Sequence, residues 1–226
     1  NGTGTPASKY KAFFKHLASW GVVVIGNEDE NSRSGESSSK SLDYVLKLNE
    51  DKKSIFYNKI DTDNIGIGGH SQGGVGTINA INNWENGKLY KAMYTASATS
   101  PFWGQEGELG TDWAYDVTKI NIPYFFIAGT KYFDSGEAIC IEETSGQGIS
   151  PLYAMEDIYS KLTTDYKVMG RLVNIDHGET YKKADGYMTA WFMYWLKDDL
   201  QAGNVFFGNN AEILTNANWQ DVKINK

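Results

Sequence analysis

The sequence predicts an α/β fold, a mostly parallel, doubly wound sheet flanked by helices, and three observations lead to it. Apolar segments of strand length alternate along the chain with longer segments of helical period, the order that builds parallel sheets with crossover helices. The run Val22-Val-Val-Ile25 is short, continuous and β-branched, as expected of a strand buried on both faces of a parallel sheet. The stretch from Ile65 to Gly74 passes from alternating Ile and Gly into Gly-His-Ser-Gln-Gly and then into small residues, which reads as strand, tight turn and helix.

In chain order, residues 7–20 place Tyr10, Phe13, Phe14 and Leu17 at the i, i+3, i+4, i+7 spacing of one helical face, and Gly21 follows as a stop. The strand at 22–25 comes next. Residues 28–41 are acidic and then Ser-rich, a surface loop, before a helix from about Leu42 to Leu48 and a less regular piece to Ile60. The pattern continues as strand 64–68, helix 73–83, strands at 92–96 and 124–128, helix 152–162, strand 167–175 and helix 183–197. That last helix carries Tyr187, Trp191, Tyr194 and Trp195 on one face with Met188, Phe192 and Leu196 beside it, so it should be largely buried. Without internal repeats or a linker-like segment, residues 1–226 are expected to form a single domain.

A chain of 226 residues with 41% hydrophobic and 22% charged content has an ordinary globular balance. The net charge of -7 and the absence of a Lys/Arg cluster argue against nucleic acid as a partner. Cys140 is the only cysteine, which excludes an internal disulfide and a cysteine-based metal site. No apolar run approaches the length of a membrane span. Seven Trp, fourteen Tyr and ten Phe exceed what a core strictly needs and leave candidates for a substrate surface. The acidic, aromatic-rich, cysteine-poor composition would suit a secreted bacterial enzyme.

Gly-His-Ser-Gln-Gly at 69–73 has the form of a nucleophile elbow. A serine hydroxyl is a poor nucleophile, so the fold must present Ser71 on a strained turn against a base and beneath oxyanion donors. Glycines at 69 and 73 make such a turn sterically possible. The chain offers three histidines. His70 adjoins Ser71 in the turn and should pack below it, and His16 reads as a solvated residue of the first helix. His177, in the loop after the strand 167–175, lies at the carboxyl edge of the sheet, where catalytic groups gather. Asp134, in the loop after 124–128, is the acid expected to orient it. Asp176 is its rival by proximity and Glu137 a rival along the same loop. The backbone amide of Gln72 is one expected oxyanion donor, and Thr3, in Gly2-Thr-Gly4 before the first helix, is the other. No metal or organic cofactor is called for.

On these residues the chain resembles the α/β-hydrolases grouped around dienelactone hydrolases, cutinase-like polyester hydrolases and acetyl xylan esterases. Ala18-Ser-Trp-Gly-Val-Val-Val-Ile25 is similar to the strand after that group's first helix, and Gly69-His-Ser-Gln-Gly-Gly74 to its elbow. Ser71, Asp134 and His177 then fall at nucleophile, acid and base. Thr3 falls where polyester hydrolases often carry an aromatic oxyanion residue, and Trp103 resembles their substrate-clamping tryptophan. The resemblance implies a serine-dependent carboxylic ester hydrolase acting on small acyl esters, with acetylated carbohydrate or polyester as the candidate carriers, and with no cofactor. It also implies an N-terminally truncated sheet lacking the group's first strands, and a segment between the strands at 92–96 and 124–128 too short for a separate lid domain. The alternatives are a non-catalytic member of the fold that binds a ligand or partner, and acyl transfer or amide hydrolysis by the same triad.

Overall fold

The structure is a computed structural model that describes residues 1–225. The first helical turn at Ala7–Tyr10 leads into α1 (Lys11–Ser19), and α2 (Glu36–Glu50) precedes the first strand, β1 (Ile65–His70). Then follow α3 (Gln72–Asn83), β2 (Tyr90–Ala96), β3 (Tyr124–Gly129), the single turn α4 (Tyr132–Ser135), α5 (Leu152–Lys161) and β4 (Lys167–Leu172). The chain closes with α6 (Thr180–Lys183), α7 (Asp185–Lys197), the short α8 (Leu200–Gly203) and α9 (Glu212–Thr215), and β5 (Trp219–Asn225). The five strands lie side by side in the order β1-β2-β3-β4-β5. The first three pairings are parallel, and β5 closes the edge antiparallel to β4.

Period-two alternation sends successive side chains of each strand to opposite layers. Met93, Tyr124, Phe126 and Met169 face a core built with Leu42 and Val45 of α2, Ile78 of α3 and Met155 and Ile158 of α5. Tyr94, Phe125, Ile127 and Val168 face the other core, with Leu17 of α1 and Met188, Trp191 and Phe192 of α7. Helices on both faces make the sheet doubly wound. Much of the aromatic content is accounted for in the second core, where the Phe125 ring lies 5.0 Å from Phe206, 5.4 Å from Tyr94 and 5.7 Å from Trp191. Each such side chain contributes about 2 to 3 kcal/mol by leaving water.

Three local expectations are corrected. Val22–Ile25 forms no strand. A strand exists only through its ladder partners, and β1, the edge of the sheet, pairs with β2 alone. A cavity of about 500 Å³ is lined by Val22–Ile25 and by β1 together, and Val23 and Ile25 are 46% and 40% exposed. Second, the Ser-rich run within 28–41 is helical from Glu36 onward. The Ser34 hydroxyl accepts the Glu36 amide, and Lys40 pairs with Glu36 one turn on, the local support that a helix start needs. Third, β5 and its antiparallel pairing have no counterpart in the sequence reading, and β4 ends at Leu172 instead of 175. Among the described residues no helix is long and apolar enough to cross a membrane.

Candidate active site

Ser71 occupies the single residue between β1 and α3, with φ 56° and ψ -124°. A non-glycine residue in that region costs on the order of 1 to 3 kcal/mol and persists only where its surroundings over-determine it. Here they do. The Ser71 amide donates to Ala96 O at the end of β2 (2.9 Å), and the Ser71 carbonyl accepts the Gly74 amide (2.8 Å). A Cβ on Gly69 would stand 2.0 Å from Gly73 O, and one on Gly73 would stand 2.4 Å from the Asn1 nitrogen. Both glycines are therefore required by close backbone approach, the first across the elbow and the second against the amino-terminal segment.

Asp134 and His177 come together from loops at the carboxyl ends of β3 and β4. The loops are clasped: the Lys131 amide donates to Ile175 O (3.2 Å) and the Asn174 amide to the Thr130 hydroxyl (2.8 Å). Asp134 is fully buried. Its Oδ1 lies 2.6 Å from His177 Nδ1, while Oδ2 accepts the Gly129 amide (2.7 Å) and the Ser97 hydroxyl (2.6 Å). A buried carboxylate needs such donors to offset its lost hydration. With Nδ1 directed at the Asp134 carboxylate, Nε2 is the ring nitrogen left to exchange a proton with a substrate or nucleophile. Of the rivals, Asp176 turns its carboxylate to the His177 backbone amide (2.8 Å), capping the turn His177–Glu179, and Glu137 is exposed.

Thr3 and Gln72 also meet. Gln72 is the first residue of α3 and fully buried, and its side-chain Nε2 donates to the Thr3 hydroxyl at 3.3 Å. The amino-terminal loop is further held by Asn1 Nδ2, which donates to Asn27 O (2.6 Å) and Asp29 O (3.2 Å). Trp103 lies in the turn Pro101–Gly104. Its indole N–H donates to Gly148 O (2.9 Å), and its ring meets Phe102 edge-on at 5.1 Å. This ties it to the segment that follows the Asp134 turn, where the Ser150 amide donates to Asp134 O. His16 is half-buried against Trp20, not solvated.

Several contributors escaped sequence reading. Ser97, one residue past β2 at φ 48°, bonds both Asp134 and the Thr180 hydroxyl (2.8 Å). Its only sequence signal is a place just beyond a strand end. Thr180 in turn donates to the His177 carbonyl (3.0 Å). Phe133, 57% exposed, places its ring 5.0 Å from that of His177, and Tyr132 beside it is 65% exposed. Tyr10, read only as part of an apolar helix face, carries its hydroxyl to the Gly2 amide and to His70.

Residues 4–109 match the family model described as PET hydrolase-like (PETase). The matched stretch runs from the amino-terminal loop through the elbow and past Trp103, and Asp134 and His177 lie beyond it. No curated protein matches the chain. Together with the five-stranded sheet and its flanking helices, the match identifies the fold as that of the α/β-hydrolases and, at the level of class, supports an ester hydrolase.

Proposed function

We propose that this chain is a serine-dependent carboxylic ester hydrolase. The single observation that carries the reading is a buried Asp134 hydrogen-bonded to His177 Nδ1 at 2.6 Å, on the same sheet edge as a serine held at positive φ between strand and helix. Ser71 Oγ attacks the ester carbonyl carbon and its proton passes to His177 Nε2. The oxyanion so formed accepts hydrogen bonds from the backbone amides of Gln72 and Thr3. The intermediate then collapses, the bond from carbon to the alkoxy oxygen breaks, and His177 returns the proton to the departing alcohol. Water attacks the acyl-Ser71 ester with His177 again as base, releasing the acid and restoring the hydroxyl. Asp134 holds the ring and offsets the charge that His177 gains.

Substrates in this reading are small acyl esters, free or borne on a polymer such as acetylated carbohydrate or polyester, with Phe133, Tyr132 and Trp103 available to contact the acyl or alcohol part. Hydrolysis of p-nitrophenyl acetate and butyrate tests the chemistry. Ser71→Ala should lower turnover by about a millionfold, and activity retained in that variant would sink the assignment. A fluorophosphonate probe separates catalyst from binding protein, because only an activated Ser71 reacts within minutes. Chain-length profiling on aryl esters, with acetylated xylan and a polyester film alongside, then sorts the substrate class.

A further inference from the structure

His70 has no part in the steps above, yet both of its ring nitrogens are engaged. Nε2 lies 2.9 Å from the backbone oxygen of His177, and Nδ1 lies 3.3 Å from the hydroxyl of Tyr10. That hydroxyl is in turn 3.0 Å from the amide of Gly2. Donor and acceptor chemistry orders the protons along this line. A carbonyl oxygen only accepts, so Nε2 carries the His70 proton and Nδ1 is a bare lone pair. Tyr10 must then donate to Nδ1, which leaves its oxygen free to accept the Gly2 N–H. One direction of donation satisfies every group from Gly2 to the His177 carbonyl.

The ring orientations are set by packing. Tyr181 lies against both partners, 4.9 Å from the Tyr10 ring and 4.7 Å from His70, and the His70 ring is 4.9 Å from that of His177. Burial, and next the nearby His177, push the His70 pKa down to about 4, so the neutral ring that the donation order requires is the form present at neutral pH. The two ends of the line are Gly2, next to the proposed oxyanion donor Thr3, and the backbone of the proposed base. These groups sit on separate loops that must keep register across the reacting carbonyl, and a shift of about 1 Å there can cost on the order of a hundredfold in rate.

We propose that His70, acting with Tyr10, is a positioning residue that couples the amino-terminal loop to the His177 loop and so sets the oxyanion donor against the base. This rests on the ester-hydrolase reading of the same site. Tyr10→Phe keeps the ring packing and removes the hydroxyl, and His70→Gln keeps a side-chain N–H for the His177 carbonyl while losing the acceptor for Tyr10.

The test is steady-state hydrolysis of p-nitrophenyl butyrate by the parent, the two single variants and the double variant. Thermal melts monitor folding, and ¹⁵N NMR of the histidine rings reads geometry independently of activity. Each single variant should lose about tenfold in kcat with KM unchanged, and the double variant should be little worse than either, because the line is already cut. The ring spectra should show His70 protonated at Nε2, and Tyr10→Phe should move the His177 resonances by way of His70. Folded variants with parental kcat, losses that multiply in the double variant, a change confined to KM, or a His70 ring protonated at Nδ1 would each overturn the proposal. A parent inert toward both ester and fluorophosphonate defeats the ester-hydrolase reading instead, and the His177 resonances still report whether the loops are coupled.

Discussion

The two sides of the elbow are built differently. On the acid and base side, Asp134 has no exposure and three hydrogen-bond donors, and its loop is clasped to that of His177 between strands paired on both edges. On the other side, Thr3 is exposed and its loop is held by Gln72, Tyr10 and Asn27. It adjoins a cavity of about 500 Å³ that is also lined by the segment 22–25, which pairs with no strand. The sheet itself organises the proposed acid and base, whereas the proposed oxyanion loop is held from outside the sheet by a few side chains, by backbone hydrogen bonds from Gly4 to Glu30 and from Ala7 to Asn27, and by one close glycine contact.

The largest expected effect breaks the rigid side. Asp134→Asn keeps the volume but alters the partner of His177 Nδ1, and turnover should fall about 10⁴-fold with the fold intact. Progress curves on p-nitrophenyl butyrate beside a circular dichroism spectrum check this, and a loss under tenfold would separate Asp134 from the chemistry. Gly73→Ala attacks the other side. Its Cβ would stand 2.4 Å from the Asn1 nitrogen and displace the loop, so kcat should fall about 10²-fold, as when an oxyanion donor is lost. Parental kcat in that variant would show that Thr3 is not needed above Ser71.

Acid should loosen the bridge between the sides. Folding lowers the His70 pKa from 6.5 to about 4, so between those values the unfolded chain binds more protons than the folded one. The stability due to a neutral His70 is thus complete above pH 6.5 and falls by about 3 kcal/mol as pH drops towards 4. Urea midpoints of parent and His70→Gln should converge or cross over that window, and a constant difference between them would contradict the buried neutral ring. The smallest effect concerns the unpaired segment. Val23→Thr should change stability by less than about 0.5 kcal/mol, because Val23 is 46% exposed, and a thermal shift of many degrees would mean that 22–25 is packed as the sequence predicts.

Much of the architecture was legible because it is written locally. The spacing of Tyr10, Phe13, Phe14 and Leu17 marks a helix without reference to anything else, and the short, continuous apolar run at Tyr124–Gly129 marks a strand buried on both faces. The same locality misled at Val22–Ile25, where β-branched residues favour extended backbone but cannot supply the second strand that a ladder needs. It also hid β5, whose mixed Trp219-Gln-Asp-Val-Lys-Ile-Asn225 has meaning only beside β4. Around the site, Gly69, Ser71 and Gly73 could be read from their spacing. Ser97, Thr180 and the hydroxyl of Tyr10 could not, since each matters through a partner more than thirty residues away or through a backbone group that any residue could offer.

By itself, then, the sequence determined the alternation of elements, the elbow at Gly69–Gly73, and a short roll of titratable residues just past strand ends, because helical period, strand alternation and glycine sterics act over a few residues. Tertiary structure alone decided that Asp134 and not Asp176 or Glu137 faces His177 Nδ1, that Val22–Ile25 has no ladder, and which group each nitrogen of His70 meets. Those outcomes depend on the direction of a hydrogen bond between groups distant in the chain, which only the packed sheet and its loops can set.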